Sequence, residues 1–195
     1  MMDARHPSPS ARRVRRRTFV AALLALASAS TVASQSVTVP ALKAAFVYNF
    51  AKFTVWPADA LAPAQRLSLC VVGDNLVADA LEQVIKGRVV EGHELTVQIL
   101  KPDGPLRSCH LLYVGGLDAK GARQLLGTLR DAPIFTVSDG ERFAQSGGVA
   151  QLILEKDRMR FAINVAAAQR VRLQLSSKLL NLATIIKKED RDVQR

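Results

Sequence analysis

Between Leu67 and Val137 the chain repeats one pattern: a short apolar run, a turn built on glycine or proline, then a segment with helical spacing. Leu67 to Val72 closes at Gly73-Asp74 and leads into apolar residues at Leu76, Ala80, Leu81, Val84 and Ile85. Leu95 to Leu100 alternates as a strand and stops at Pro102-Asp103-Gly104-Pro105. Leu111 to Val114 closes at Gly115-Gly116, Asp118 caps a helix through Leu129, and Ile134 to Val137 follows Pro133. Strands alternating with helices predict a largely parallel sheet covered by helices. Val149 to Leu154 and Arg158 to Ile163 flank a polar turn and predict an antiparallel hairpin at the sheet's edge. The fold class is a single α/β domain, Rossmann-like, with that edge hairpin.

Two helical segments flank this core. Leu42, Phe46, Phe50 and Phe53 recur at helical spacing until Pro57 stops the pattern. At the other end Asn164 caps a helix through Val171. The alternation Arg170-Val171-Arg172-Leu173-Gln174-Leu175 then argues for a break, and Ser176 caps a last helix. That helix would bury Leu179, Leu180, Leu182, Ala183 and Ile186, with Lys187 and Lys188 suiting its C-terminal dipole.

The first 34 residues have a different character. Six arginines face one aspartate there, followed by the apolar run Phe19 to Ala29 and small residues at Ala27-Ser28-Ala29 and Thr31-Val32-Ala33. This reads as a signal peptide, cleaved so that the mature chain starts near Ser34 to Ser36. The run is too short for the roughly 20 residues that span a bilayer. Arg16-Arg17-Thr18-Phe19-Val20 also fits a twin-arginine core, a match that ordinary arginine-rich leaders produce as well. No cysteine lies near the cleavage region to carry a lipid. The domains are therefore 1–34, removed, and 35–195, folded.

The leader also explains half of the formal charge of +10, because the remaining 21 Lys and Arg face 16 Asp and Glu. A basic stripe for nucleic acid is not supported. Cys70 and Cys109 are the two cysteines of the chain, and an even count in an exported protein favours a disulfide over two buried thiols. The loop it closes, about 40 residues, would be worth roughly 4 kcal/mol in the chain-entropy model.

Dinucleotide, P-loop, nucleophile-elbow and zinc-protease signatures do not occur. His93 reads as a solvated loop residue and His110 as the start of a strand, neither with a second metal ligand at suitable spacing. No catalytic residues, cofactor or metal are expected. Ligands of open α/β sheets bind beyond the carboxyl ends of the strands, which here carry Gly73-Asp74, Gly115-Gly116 and Ser138-Asp139. The same residues are ordinary turn formers. Five of the ten aromatic residues fall between Phe46 and Trp56. Phe46, Phe50 and Phe53 share a face and read as core, whereas Tyr48 and Trp56 lie off it and are candidates for a pocket or partner contact, with packing at the core's edge as the alternative.

Several stretches together resemble the YfiR family of periplasmic proteins: Leu42 to Phe53 with Trp56-Pro57; Cys109-His110 before a strand; Thr136-Val137-Ser138-Asp139 with Phe143-Ala144 and Gly147-Gly148; Phe161 to Asn164; and Leu175 to Ala183. The resemblance implies a non-enzymatic repressor of a membrane-anchored, YfiN-type diguanylate cyclase, bound through the cyclase's periplasmic sensor domain, in a system with the outer-membrane lipoprotein YfiB. It leaves room for a homodimer, and it assigns Cys70 and Cys109 to a structural or redox-responsive bridge. Two departures stand out. Some members carry a second cysteine pair where this chain has Ala144 and Gln151, and Arg172 occupies a position where glycine is common and suited to ending a helix. The alternative function is a periplasmic receptor for a small ligand, reporting to a histidine kinase or an outer-membrane transporter.

Overall fold

The computed structural model describes residues 38–186 apart from residue 157. The segment expected to be a leader, its expected cleavage region, Lys187 and Lys188 lie outside the described residues. Helix α1 (Val39–Lys52) starts where the Thr38 hydroxyl accepts the Ala41 N–H, with Pro40 in the first turn, where no amide hydrogen is needed. Strand β1 (Thr54–Val55) follows, then a loop and strand β2 (Leu67–Val72). Asp74 caps α2 (Asn75–Ile85), which leads to β3 (Val89–Val90) and β4 (His93–Leu100). One 3-10 turn at Leu106–Ser108 precedes β5 (Leu111–Val114), and Asp118 caps α3 (Ala119–Thr128) ahead of β6 (Phe135–Ser138). Strands β7 (Ala150–Glu155) and β8 (Arg158–Ile163) are followed by α4 (Val165–Arg170), β9 (Gln174–Leu175), α5 (Ser177–Leu180) and β10 (Thr184–Ile185).

The main sheet runs β10-β8-β7-β6-β5-β2-β4-β3, parallel except for the pairs β7/β8 and β3/β4. The α/β class and the hairpin agree with the sequence, and the two-residue β10 lies along the hairpin's outer side. Strands β1 and β9 pair apart from this sheet as a short antiparallel ribbon. Strand β9 is the last two residues of the alternating Arg170 to Leu175 stretch, so the predicted break is real. It is made by Arg172 in the left-handed region, φ 58°. The Arg172 and Leu173 N–H groups donate back to the Gln169 and Ala168 carbonyls, the pattern of a Schellman stop normally built on glycine.

Period-2 geometry divides the interior into two cores. Leu67, Leu69 and Val71 of β2, with Leu111 and Tyr113 of β5 and Phe135 and Val137 of β6, face α1, α2 and α4. Their neighbours Cys70, Val72, Leu112 and Val114 face α3, Leu106 and Phe143. A strand buried on both faces has no polar positions to alternate, which is why these segments read as unbroken apolar runs. The bridge between Cys70 and Cys109 lies in the second core, with Cα atoms 5.8 Å apart and both residues buried, and it fastens the turn before β5 to the central strand.

Two expectations need correction. The Leu42, Phe46, Phe50 and Phe53 stripe is one flank of α1, while its buried centre is Ala44, Val47, Phe50 and Ala51. The small alanines let the helix backbone approach α2 and the sheet, and the larger rings fill the sides: Phe46 and Phe50 meet Phe161 edge-on, and Phe50 stacks on Phe135 at 5.2 Å. The last helix is also shorter than its pattern. It stops at Leu180, Leu182 is 77% exposed, and Thr184 and Ile185 join the sheet beside Ala162 and Ile163. A run of β-branched residues, Thr184-Ile185-Ile186, next to an open strand edge favours extended pairing over another helical turn.

Because the bridge closes 39 residues around the central strand, replacing both cysteines with serine should lower stability by about 2 to 5 kcal/mol. Urea denaturation of the two proteins measures it. Thiol labelling of unreduced, unfolded protein should find no free cysteine.

Candidate functional site

The carboxyl ends of β2, β5 and β6 come together as the sequence suggested, but their polar groups are used on one another. Gly73, at φ 76°, packs so closely against the loop after β5 that a Cβ there would collide with the Gly115 carbonyl oxygen. Asp74 caps α2 through the Val77 N–H, and the Ser138 hydroxyl accepts the Gly140 N–H. The centre of the group is Lys43, which reaches across from α1. Its Nζ lies 2.7 Å from Asp139 Oδ2 and 3.5 Å from Asp74 Oδ2, and the Tyr113 hydroxyl donates to Asp139 Oδ1 at 3.0 Å. Gly116, φ 66°, turns the chain beside Gly73.

Burial raises the Asp139 carboxyl, but the Lys43 ammonium and the Tyr113 hydroxyl outweigh it and hold the group below the usual carboxylate range. Burial, with the charge of Asp139 next, pushes the Tyr113 phenol well above its ordinary value. Strand order reverses between β2 and β5, the place where open α/β sheets receive ligands. Here the protein's own lysine fills it. Lys43 and Tyr113 were missed in the sequence because a single lysine on an amphipathic helix and a tyrosine within an apolar strand carry no spacing signal.

A second constellation forms at the opposite end of the strands. His110 is 4% exposed just before β5. Its ring Nδ1 accepts the Ser68 N–H at 3.0 Å, which fixes the proton on Nε2, and Nε2–H donates to the Ala60 carbonyl at 3.0 Å. Its own carbonyl accepts both the Phe135 N–H and, at 3.0 Å, the indole N–H of Trp56. Burial pushes the imidazole below its ordinary value, with the repulsion of His93 adding to it and the Ala60 carbonyl opposing it. His93, read from sequence as solvated, is the half-buried first residue of β4 and donates Nδ1–H to the Gln65 carbonyl at 2.7 Å.

Trp56 is therefore buried, and it forms a wall of an apolar cavity of about 140 Å³ together with Thr54, Val55, Leu61, Leu67, Val90, Glu91 and His93. Engineered apolar cavities of about 150 Å³ take up a benzene ring. Leu67 and His93 are the first residues of β2 and β4, so this cavity sits at the amino ends of the strands. Tyr48, the other aromatic singled out, lies apart from the lining, under the Arg88 guanidinium at 4.9 Å. Among the described residues no group of three metal-ligating side chains occurs, and no helix is long and apolar enough to cross a membrane.

The YfiR/HmsC-like family model matches residues 40–184, essentially the whole described domain. The chain belongs to this family. No curated protein matches it. Within this YfiR/HmsC-like chain the stretches that carried the resemblance converge: Trp56-Pro57 and Cys109-His110, over 50 residues apart, meet through the indole hydrogen bond. Asn164 holds Ala167 N–H as a helix cap and donates to the Ala144 carbonyl, joining the segments around Phe143 and Phe161.

The Lys43 group yields a prediction. Lys43→Met should cost about 1 kcal/mol near neutral pH, less than the roughly 1.5 to 3 kcal/mol of a charged hydrogen bond because Asp139 is more than a third exposed and screened. A depressed carboxylate gives stability above its unfolded value, near pH 4, that is lost as pH falls through the folded value. The gap between variant and wild type should thus close in acid, as urea titrations at pH 7 and pH 3 would show.

Proposed function

We propose that this protein is an exported, non-enzymatic regulator that binds the periplasmic sensor domain of a membrane-anchored diguanylate cyclase and holds it inactive. The observation that carries this reading is family membership over residues 40–184. Repression needs no chemistry in this chain, only higher affinity for the inactive receptor than for the active one. The internally paired Lys43 group suits such a role, since its charges stabilise the domain and are not poised on a substrate. An outer-membrane lipoprotein that competes for the repressor would complete the circuit, and a homodimer is compatible with it.

The docking region we assign is the rim of the apolar cavity, where Val55 is 55% and neighbouring Val89 57% exposed. An apolar side chain of the partner entering beside Trp56 would be the anchor. The cavity also favours a second reading, a receptor for a small apolar ligand.

Deleting the gene should raise cellular cyclic di-GMP, and an exported copy should lower it again. A copy without residues 1–34 should fail to do so, and in a strain lacking the cyclase the deletion should change nothing. Unchanged cyclic di-GMP, with the cyclase expressed, would leave the small-ligand receptor as the better account.

A further inference from the structure

We propose that His110 is a proton-operated latch on the wall of the apolar cavity: neutral, it clamps the segment from Trp56 to Leu61 against the sheet, and protonated, it lets that segment go. The proposal rests on reading this cavity as the docking region, and it names how that region is regulated.

The clamp has three points. Ser68 N–H donates to Nδ1, Nε2–H donates to the Ala60 carbonyl, and the indole of Trp56 donates to the His110 carbonyl. Two of the three end on the segment that forms the cavity wall. The first requires a bare Nδ1. A proton there would set two donors against each other, leaving the Ser68 N–H without its acceptor and placing a charge where the residue is only 4% exposed. The ring can accept the proton only by leaving its site.

The surrounding charges do not rescue the imidazolium. On the clamped loop, Asp59 is held by both Arg172 guanidinium nitrogens, at 3.0 and 2.7 Å. Arg66 pairs with Glu94 of β4, and His93 of β4 adds repulsion. Glu91 lines the cavity from the turn before β4 and makes no ion pair among the described residues. On the turn before β5, Arg107 is tied to the Thr128 carbonyl. No ion pair reaches His110 among the described residues. A group whose folded value is depressed keeps its full contribution above the unfolded value, about 6.5, and loses it as pH falls toward the folded one. Release therefore belongs to mild acid. An exported protein meets the pH of its surroundings, so the latch would couple docking to acidity.

Trp56 is the only tryptophan of the chain and reports on the wall directly. In the mature protein without any ligand, its emission should shift reversibly to the red as pH falls from 7.5 to 4.5, with a midpoint below 6.5 and unchanged far-ultraviolet circular dichroism. The carboxamide of His110→Gln can keep both ring hydrogen bonds without titrating, so that variant should lose the shift. His93→Gln should keep it and move the midpoint upward, because a repulsion is gone. If His110→Gln does not fold, proton NMR of the wild type decides: the Trp56 indole resonance should move with the same midpoint as the His110 ring.

A pH-independent emission, loss of the shift in His93→Gln alone, an indole resonance that ignores His110, or loss of circular dichroism at the same midpoint would each overturn the latch. Uptake of toluene at pH 7.5, followed by thermal shift, tests the cavity separately. Toluene binding without an acid transition overturns the latch while sparing the cavity; an acid transition without toluene binding upholds the latch and removes the small-ligand reading.

Discussion

Burial of β2 on both faces is the constraint from which the rest follows. Its side chains alternate between two cores, and all of them except the half-buried Ser68 are removed from water. A strand of this kind can satisfy its backbone only with a partner on each side, here β4 and β5, both parallel to it. Parallel neighbours require crossover connections, and those connections supply the covering helices. The central position of β2 also decides where each end of the sheet can do work. Its carboxyl end is closed by Gly73 pressed against the loop after β5, and its amino end opens beside a loop held by side-chain hydrogen bonds, the Asp59–Arg172 ion pair and the packing of Trp56 and Leu61.

Much of this was legible in the chain. Strands β2, β5 and β8 begin and end where the sequence reading places them, and all the helix caps expected from sequence, Asp118, Asn164 and Ser176, act as caps. These features are local, each determined by residues within a few positions. The cysteine bridge was legible for another reason, since two cysteines allow one pairing. The buried face of α1 was not, because a pattern of large apolar residues gives no weight to Ala44 and Ala51, whose smallness is what permits close packing. The end of α5 was lost to competition from outside the segment, where the open edge of β8 offers hydrogen bonds that a helical reading cannot anticipate.

The site was less legible than the fold for the same physical reason. Lys43 meets Asp74 and Asp139 across 31 and 96 positions of sequence, and Trp56 meets His110 across 54. Such contacts exist only after the sheet has formed. The sequence singled out Trp56, for lying off the aromatic stripe, as a candidate for a pocket or partner contact or for packing at the core's edge, and the structure buries it in a cavity wall. Tyr48 was singled out by the same argument but ends against Arg88, so distance from a stripe locates a boundary of the core without saying what lies beyond it. His110 was passed over because a histidine without nearby ligands looks ordinary. Its importance comes from three hydrogen bonds, two of them made by its ring and one by its carbonyl.

The geometry inverts the usual economy of an open α/β domain. In such domains the carboxyl ends of the strands gather loop amides and helix N-termini around a ligand. Here an internal lysine bridges two carboxylates at the carboxyl end, so the charges there already have partners within the protein. The amino end has the opposite character: an apolar recess with exposed Val55 in its lining and a wall hydrogen-bonded to one histidine. An apolar recess contributes binding free energy without catalytic groups, which is what a protein needs if its task is to hold a receptor in one state. The bridge between Cys70 and Cys109 lies next to that histidine in sequence and anchors its segment to the central strand. The His110 side of the proposed latch is thus covalently secured, while the Trp56 to Leu61 side is held by hydrogen bonds, the Asp59–Arg172 ion pair and the packing of Trp56 and Leu61.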